Sequence, residues 1–318
     1  MKATALIRRV LALIFLPPLL AGCARPPAAP PSAPATGTGF PLVLTDAQGV
    51  EVTVPARPER IVSASPAVTE ILFALGAGDR VVAVTDRSNY PPEATERPKV
   101  GGFFTPSVEK VLGARPDLVI GQRGNPPDFV ETLRRSGVPV FTVDPQTLDQ
   151  ILSTIRKVAQ LIGDEAAGES LVGDMQRRLA AIAARTAVIP EDERPTAFLV
   201  LQVSPPWTAG SGTFQDDAIR AAGGRNIAAA VEGFRAFSTE SLVAGNPDFL
   251  LLSTMDGDPD RMKRDVLADP VLSRLSAVRS NHLVILEADP LMRAGPRIVD
   301  AIEEMARAFY PQQSPRGR

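Results

Sequence analysis

From Phe40 onward, short runs of aliphatic and β-branched residues alternate with apolar stretches at helical spacing. Arg60-Ile61-Val62-Ser63 reads as a strand, followed by Pro66 and an apolar-periodic helix from Val68 to Leu75 that Gly76 ends. Val81–Thr85, Leu118–Gly121 and Val138–Val143 continue the strand series, with helices near 107–114 and 126–136. A second series begins at Thr196–Gln202 and continues with Asp248–Ser253 and His282–Glu287. Such alternation with short links predicts mainly parallel sheets covered on both faces.

Between the two series, Leu148 to about Arg185 has almost no strand pattern, and Gly163 divides it into helices at about 148–162 and 164–186. The second carries Leu171, Val172, Met175, Leu179, Ile182 and Ala183 near helical spacing. About 22 residues at 1.5 Å each span roughly 33 Å, enough to join two lobes as a stiff spine. A surface helix on a single sheet would have the same periodicity. An internal echo favours two lobes: Ser107, Glu109, Pro116 and Asp117 recur, without a gap, as Ser238, Glu240, Pro247 and Asp248. Each copy reads as a helix opened by Ser, closed by a turn, and passed through Pro-Asp into an apolar strand. The predicted fold is α/β, two doubly wound lobes joined by one long rigid helix. The N-terminal lobe is expected over 41–163, the connecting helix over 164–186, the C-terminal lobe over 187–312 and a tail over 313–318.

The first forty residues change the picture from a free domain to an exported one. Residues 1–22 combine Lys2, Arg8 and Arg9 with an apolar run from Val10 to Leu20, as a secretory signal does. Leu20-Ala21-Gly22-Cys23 resembles the bacterial lipobox, which implies lipidation of Cys23 and attachment to a membrane surface without a spanning helix. Residues 23–40 then read as this Cys and a disordered tether rich in Pro, Ala, Gly, Ser and Thr.

Composition excludes several chemistries. One Cys and one His allow neither an internal disulfide nor a Cys/His metal site, so no cofactor or resident metal is expected. A formal charge of −2 lacks the basic excess of a nucleic-acid binder. No nucleophile elbow, phosphate-binding loop or dinucleotide fingerprint is present. A secreted hydrolase would have to rely on Ser211 and His282, and the pairs Asp216-Asp217 and Glu303-Glu304 read as solvated helix faces. A lipoprotein that binds only protein partners is the other alternative. Aromatic residues are only 5% of the chain, yet Tyr90, Phe103, Phe104, Trp207, Phe234 and Phe237 fall in loops. Arg87, Arg123, Arg235 and Arg293 fall in comparable loops, which suits a large, partly apolar ligand with negative charge.

At this point the chain resembles a family. The stretches Arg60–Ser63, Pro66 and Thr69–Leu72, Tyr90-Pro91-Pro92, Val100–Phe103, Ala114–Val119 and Arg293–Ile298 look like those of ABC-importer solute-binding proteins. The group is the one that handles cobalamin, haem and ferric siderophores, and cobalamin binders are the nearest match. The resemblance runs from about Pro41 to Tyr310. It implies a non-enzymatic monomer that captures a corrinoid between two lobes and delivers it to an ABC permease dimer with its ATPase. It also implies ligand contacts at Phe103, Trp207, Phe234, Asp289 and Arg293, and permease docking through Glu109 and Glu240. Arg87 and Gln122 stand where a cobalamin binder can place Tyr and Trp, which keeps haem or a ferric siderophore as alternatives. Tyr90 would then be the candidate haem ligand.

Overall fold

A computed structural model describes residues 39–253 and 258–313. The signal segment, Cys23, most of the tether and residues 314–318 lie outside the described residues. None of the described helices is long and apolar enough to cross a membrane.

A hairpin of β1 (Leu42–Thr45) and β2 (Glu51–Val54), absent from the sequence reading, comes first. Its turn is tied by Asp46, whose Oδ1 accepts the Gln48 and Val50 N–H groups at 2.8 and 3.0 Å. The first α/β half then runs β3 (Ile61–Ser63), α1 (Pro66–Ala74), β4 (Val81–Val84), α2 (Val108–Gly113), β5 (Leu118–Gln122), α3 (Pro127–Arg135) and β6 (Val140–Val143). Two helices follow, α4 (Leu148–Leu161) and α5 (Glu165–Thr186), separated at Gly163 as the sequence predicts.

The second half contains β7 (Thr196–Val200), β8 (Trp207–Ala209), α6 (Phe214–Ala221), β9 (Arg225–Asn226), β10 (Phe234–Ala236) and α7 (Thr239–Gly245). It continues through β11 (Phe249–Leu252), α8 (Pro259–Ala268), α9 (Ser276–Arg279), β12 (Leu283–Ile285), α10 (Ala288–Met292) and α11 (Ile298–Phe309).

Both main sheets are parallel, ordered β4-β3-β5-β6 and β9-β7-β11-β12. The order is the same in both, with β7 in the place of β3 and β11 in the place of β5. The echo explains why. Asp117 accepts the Glu59 and Arg60 N–H groups at 2.8 and 3.0 Å, and Asp248 accepts the Thr196 N–H at 2.7 Å. Each Asp thus fastens the base of its strand to the neighbouring one. Arg115 and Asn246, equivalent positions, both turn the chain through positive φ, at 48° and 34°.

Alternation along the strands divides the core into layers. Leu118, Ile120, Ala197, Leu199 and Leu251 enter one cluster that also holds Val172, Met175 and Ile182 of α5. Val119 faces α2 and α3, while Phe198, Val200, Leu250 and Leu252 face Met262 and Val266 of α8. Sheets buried on both faces account for the continuous apolar runs. Helix α5 lies beside α4, α6 and α11, so the apolar layer between the sheets is continuous. The acidic pair on α6 corrects the expectation of a solvated face. Asp216 is buried and accepts from Asn226, and Asp217 accepts the first N–H of α4 at 3.0 Å. These carboxylates serve helix ends and loops.

Candidate functional site

The carboxyl ends of parallel strands leave the sheet together, and a crevice forms where consecutive connections go to opposite sides. In the first sheet this point lies between β3 and β5, at Ala64-Ser65 and Gln122–Asn125. Ser65 donates to the Gln122 side-chain oxygen at 2.6 Å, closing one connection onto the other. The Gln122 side-chain Nε2 makes no hydrogen bond among the described residues. Beneath, Thr69 bonds Ser63 and Ser88 within a buried hydroxyl cluster that fixes the loop after β4.

The predicted aromatic residues fall on both halves. Phe103 and Phe104 project from the loop between β4 and α2, edge to face with centroids 4.8 Å apart. Phe104 is 72% exposed. On the second half, β8 and β10, with α6 and β9 between them in the chain, form a two-stranded antiparallel sheet beyond the end of β7, with Trp207 opposite Ala236 and Phe234 opposite Ala209. Trp207 and Phe234 remain 39% and 42% exposed and line an open cavity of about 610 Å³ with Glu232 and Arg235. Phe237 leaves the loop set, because its ring packs on Phe198 in the core at 5.2 Å.

A polar cluster brings together another group of predicted residues, in an unexpected role. Arg293, expected to orient a ligand's edge, is committed to the protein. Its guanidinium reaches Glu70 at 2.8 Å, Asn89 at 2.8 Å, the Arg87 carbonyl at 3.0 Å and Asp289 at 2.8 Å. Three of its five donors make hydrogen bonds and Asp289 adds an ion pair, so the side chain ties α1 and the loop after β4 to the segment after β12. Asp289 also accepts from Asn89 at 3.0 Å. Arg297 completes the cluster with two hydrogen bonds to Glu70, at 2.6 and 2.8 Å, and lies 3.9 Å over the Tyr90 ring. Burial opposes its charge, but Glu70, Asp289 and Tyr90 outweigh that and raise the Arg297 pKa above its ordinary value. Arg87 contributes its carbonyl here, and its side chain is exposed.

Sequence reasoning missed Glu70, Asn89, Asn125 and Arg297. The first had a signal, a carboxylate among the apolar positions of α1. Arg297 stood inside a motif already singled out. Asn89 and Asn125 gave no periodic signal, since loop amides act through tertiary contacts.

Glu109 and Glu240 are exposed in the first turns of α2 and α7. Their helices start identically, with Ser107 accepting the Lys110 N–H and Ser238 accepting the Ser241 N–H. Repetition therefore puts the two carboxylates at matching places on the two sheets. His282 stacks on Phe249 at 4.7 Å and faces the Asp248 carbonyl, away from any described contact with Ser211. The relay of a hydrolase is not assembled. Among the described residues, no cluster of three or more His, Cys, Asp or Glu could hold a metal ion.

Comparison with known proteins agrees with this architecture. The periplasmic binding protein family model matches residues 61–290. An uncharacterized ABC transporter substrate-binding lipoprotein of Bacillus subtilis is 32% identical over 308 residues, 94% of this chain and 96% of that one. The vitamin B12-binding protein of Vibrio cholerae is 32% identical over 253 residues, 79% of this chain and 89% of that one. A solved structure of the periplasmic vitamin B12-binding protein from that species has a TM-score of 0.66, at 30% identity, covering 82% of this chain and all of that one. A periplasmic haem-binding protein from Roseiflexus in apo form gives 0.70 at 33% identity, covering 80% of this chain and 98% of that one. Two parallel sheets of one order, an intervening long helix and the match over most of the chain lead to one conclusion: the chain belongs to the periplasmic binding protein family.

Proposed function

We propose that this protein is the solute-binding component of an ABC importer. It captures cobalamin or a related corrinoid in the cleft between its two α/β halves and hands it to a permease dimer with its ATPase. Cys23 is its lipid anchor, on the outer side of the cell membrane, and the protein works as a monomer. The observation that carries the reading is the open cavity walled by Trp207, Phe234 and Arg235; we assign Phe103 and Phe104, paired on a loop of the first half, to the opposite wall. A corrin ring is broad, largely apolar on its faces and polar at its rim. Exposed rings take its faces at about 25 cal/mol per Å² of apolar area, before the entropic cost of association. Arg87 and Gln122 supply rim contacts, with Asp289 at the edge of the polar cluster that latches Arg293 onto Glu70. Glu109 and Glu240 dock onto basic groups of the permease.

Haem is the second reading, favoured by the likeness to the Roseiflexus protein and by Tyr90, which is 43% exposed beside Arg297. Calorimetric titration with cyanocobalamin, haemin and a ferric siderophore separates them. Saturable one-to-one binding of cyanocobalamin supports the first reading, haemin alone supports the second, and silence with all three removes both.

A further inference from the structure

We propose that Asn125 is the positioning residue for Phe103, holding that ring at the ligand face of the cleft. The inference rests on the proposed role of Phe103 and adds a residue to it. Asn125 is buried, 7% exposed, at the point where the connections after β3 and β5 separate. Its amide nitrogen donates to the Ala64 carbonyl and to the Phe103 carbonyl, both at 2.9 Å. Its side-chain oxygen accepts the Gln122 N–H at 2.9 Å. One side chain therefore ties together the end of β3, the end of β5 and the aromatic loop that follows β4. With both N–H groups directed at carbonyls, the amide has a single workable orientation, because a flip would set oxygen against oxygen.

The surrounding backbone keeps room for this arrangement. A Cβ on Gly121 would lie 2.7 Å from the Asn125 oxygen, and one on Gly124 would lie 2.8 Å from the Phe103 ring. Gly124 also has φ of +109°, which other residues rarely adopt. A loop aromatic ordinarily samples several rotamers. Here the carbonyl of Phe103 is held by Asn125, and its ring lies between Gly124 and Phe104. Preorganisation of this kind lowers the ordering cost of binding.

The test is a double-mutant cycle with cyanocobalamin as the calorimetric probe, on the full mature chain. Asn125→Asp keeps the shape and the acceptor for Gln122 but sets a carboxylate oxygen against two carbonyls. It is expected to weaken binding about tenfold in the wild-type background and less than about twofold in Phe103→Ala. Gly124→Ala, which crowds the ring and strains the backbone beside Asn125, should show the same non-additivity. A ligand-free readout accompanies it: amide exchange over 101–106 should accelerate about tenfold in Asn125→Asp. Equal loss in both backgrounds, or unchanged exchange, overturns the positioning role. Wild-type affinity in Phe103→Ala overturns the ligand role of Phe103 itself, and the inference with it.

Discussion

Glu70 and Arg293 lie far apart in the chain yet meet at 2.8 Å, joining α1 of the first half to the segment after β12 of the second. The carboxylate is 2% exposed and Arg297 grips it as well. A buried ion pair of this kind adds little over a well-packed apolar alternative, but removing one partner is costly. Glu70→Ala leaves two guanidinium groups facing a void and should lower unfolding free energy by about 3 kcal/mol. Urea denaturation measures it, and a loss under about 1 kcal/mol would mean the latch is solvated.

Asp117 and Asp248 make the same connection in the two halves. Each carboxylate accepts backbone N–H groups at a strand base, so Asp117→Ala and Asp248→Ala should each cost about 1–2 kcal/mol. Matched losses in denaturant unfolding check the repeat energetically. A large loss in one and none in the other would break the equivalence.

The exposed carboxylates Glu109 and Glu240 predict a separation of functions. Changing both to Arg should abolish uptake in cells while ligand affinity changes less than about twofold, as expected for exposed carboxylates assigned to docking and not to the ligand. Parallel loss of uptake and affinity would place them in the binding site or in folding.

Acid sensitivity has an identifiable contributor on α11. Arg178 hydrogen-bonds Glu303 at 2.8 and 2.9 Å, and this bond, opposed by partial burial, holds the Glu303 pKa below its ordinary value. A depressed carboxylate pKa stabilises the fold above the unfolded value, about 4.3, and that contribution fades as pH falls through the folded value. The stability gap between wild type and Glu303→Gln should therefore be present at neutral pH and narrow as pH falls below the unfolded value. Glu304 has the opposite sign, because burial raises its pKa and its ionisation opposes folding. Glu304→Gln should raise stability at neutral pH. Thermal unfolding across pH tests both.

Strand–helix alternation, the break at Gly163 and the echo were all readable from residue order, because each depends on local spacing or repetition. The hairpin of β1 and β2 was not, since its four-residue strands depend on Asp46 and on burial of Val52 and Val54. Loop aromatics were legible as candidates: Phe103 lies in the loop between β4 and α2, and Trp207 and Phe234 open the short strands β8 and β10. Phe237 was indistinguishable from them until its packing on Phe198 was known. Arg293 shows the same limit: a loop arginine looks alike in the sequence whether it faces a ligand or, as here, bonds a buried Glu70 from 223 residues away. Asn125 had no pattern to announce it, because its three partners come from three separate connections.

The most direct test is the affinity of cyanocobalamin for wild type, Phe103→Ala and Trp207→Ala, measured by calorimetry on the same preparation. One-to-one binding, weakened roughly 10- to 100-fold by each substitution, is predicted from rings on both halves gripping a single ligand. Binding that neither substitution alters would contradict capture between the two halves.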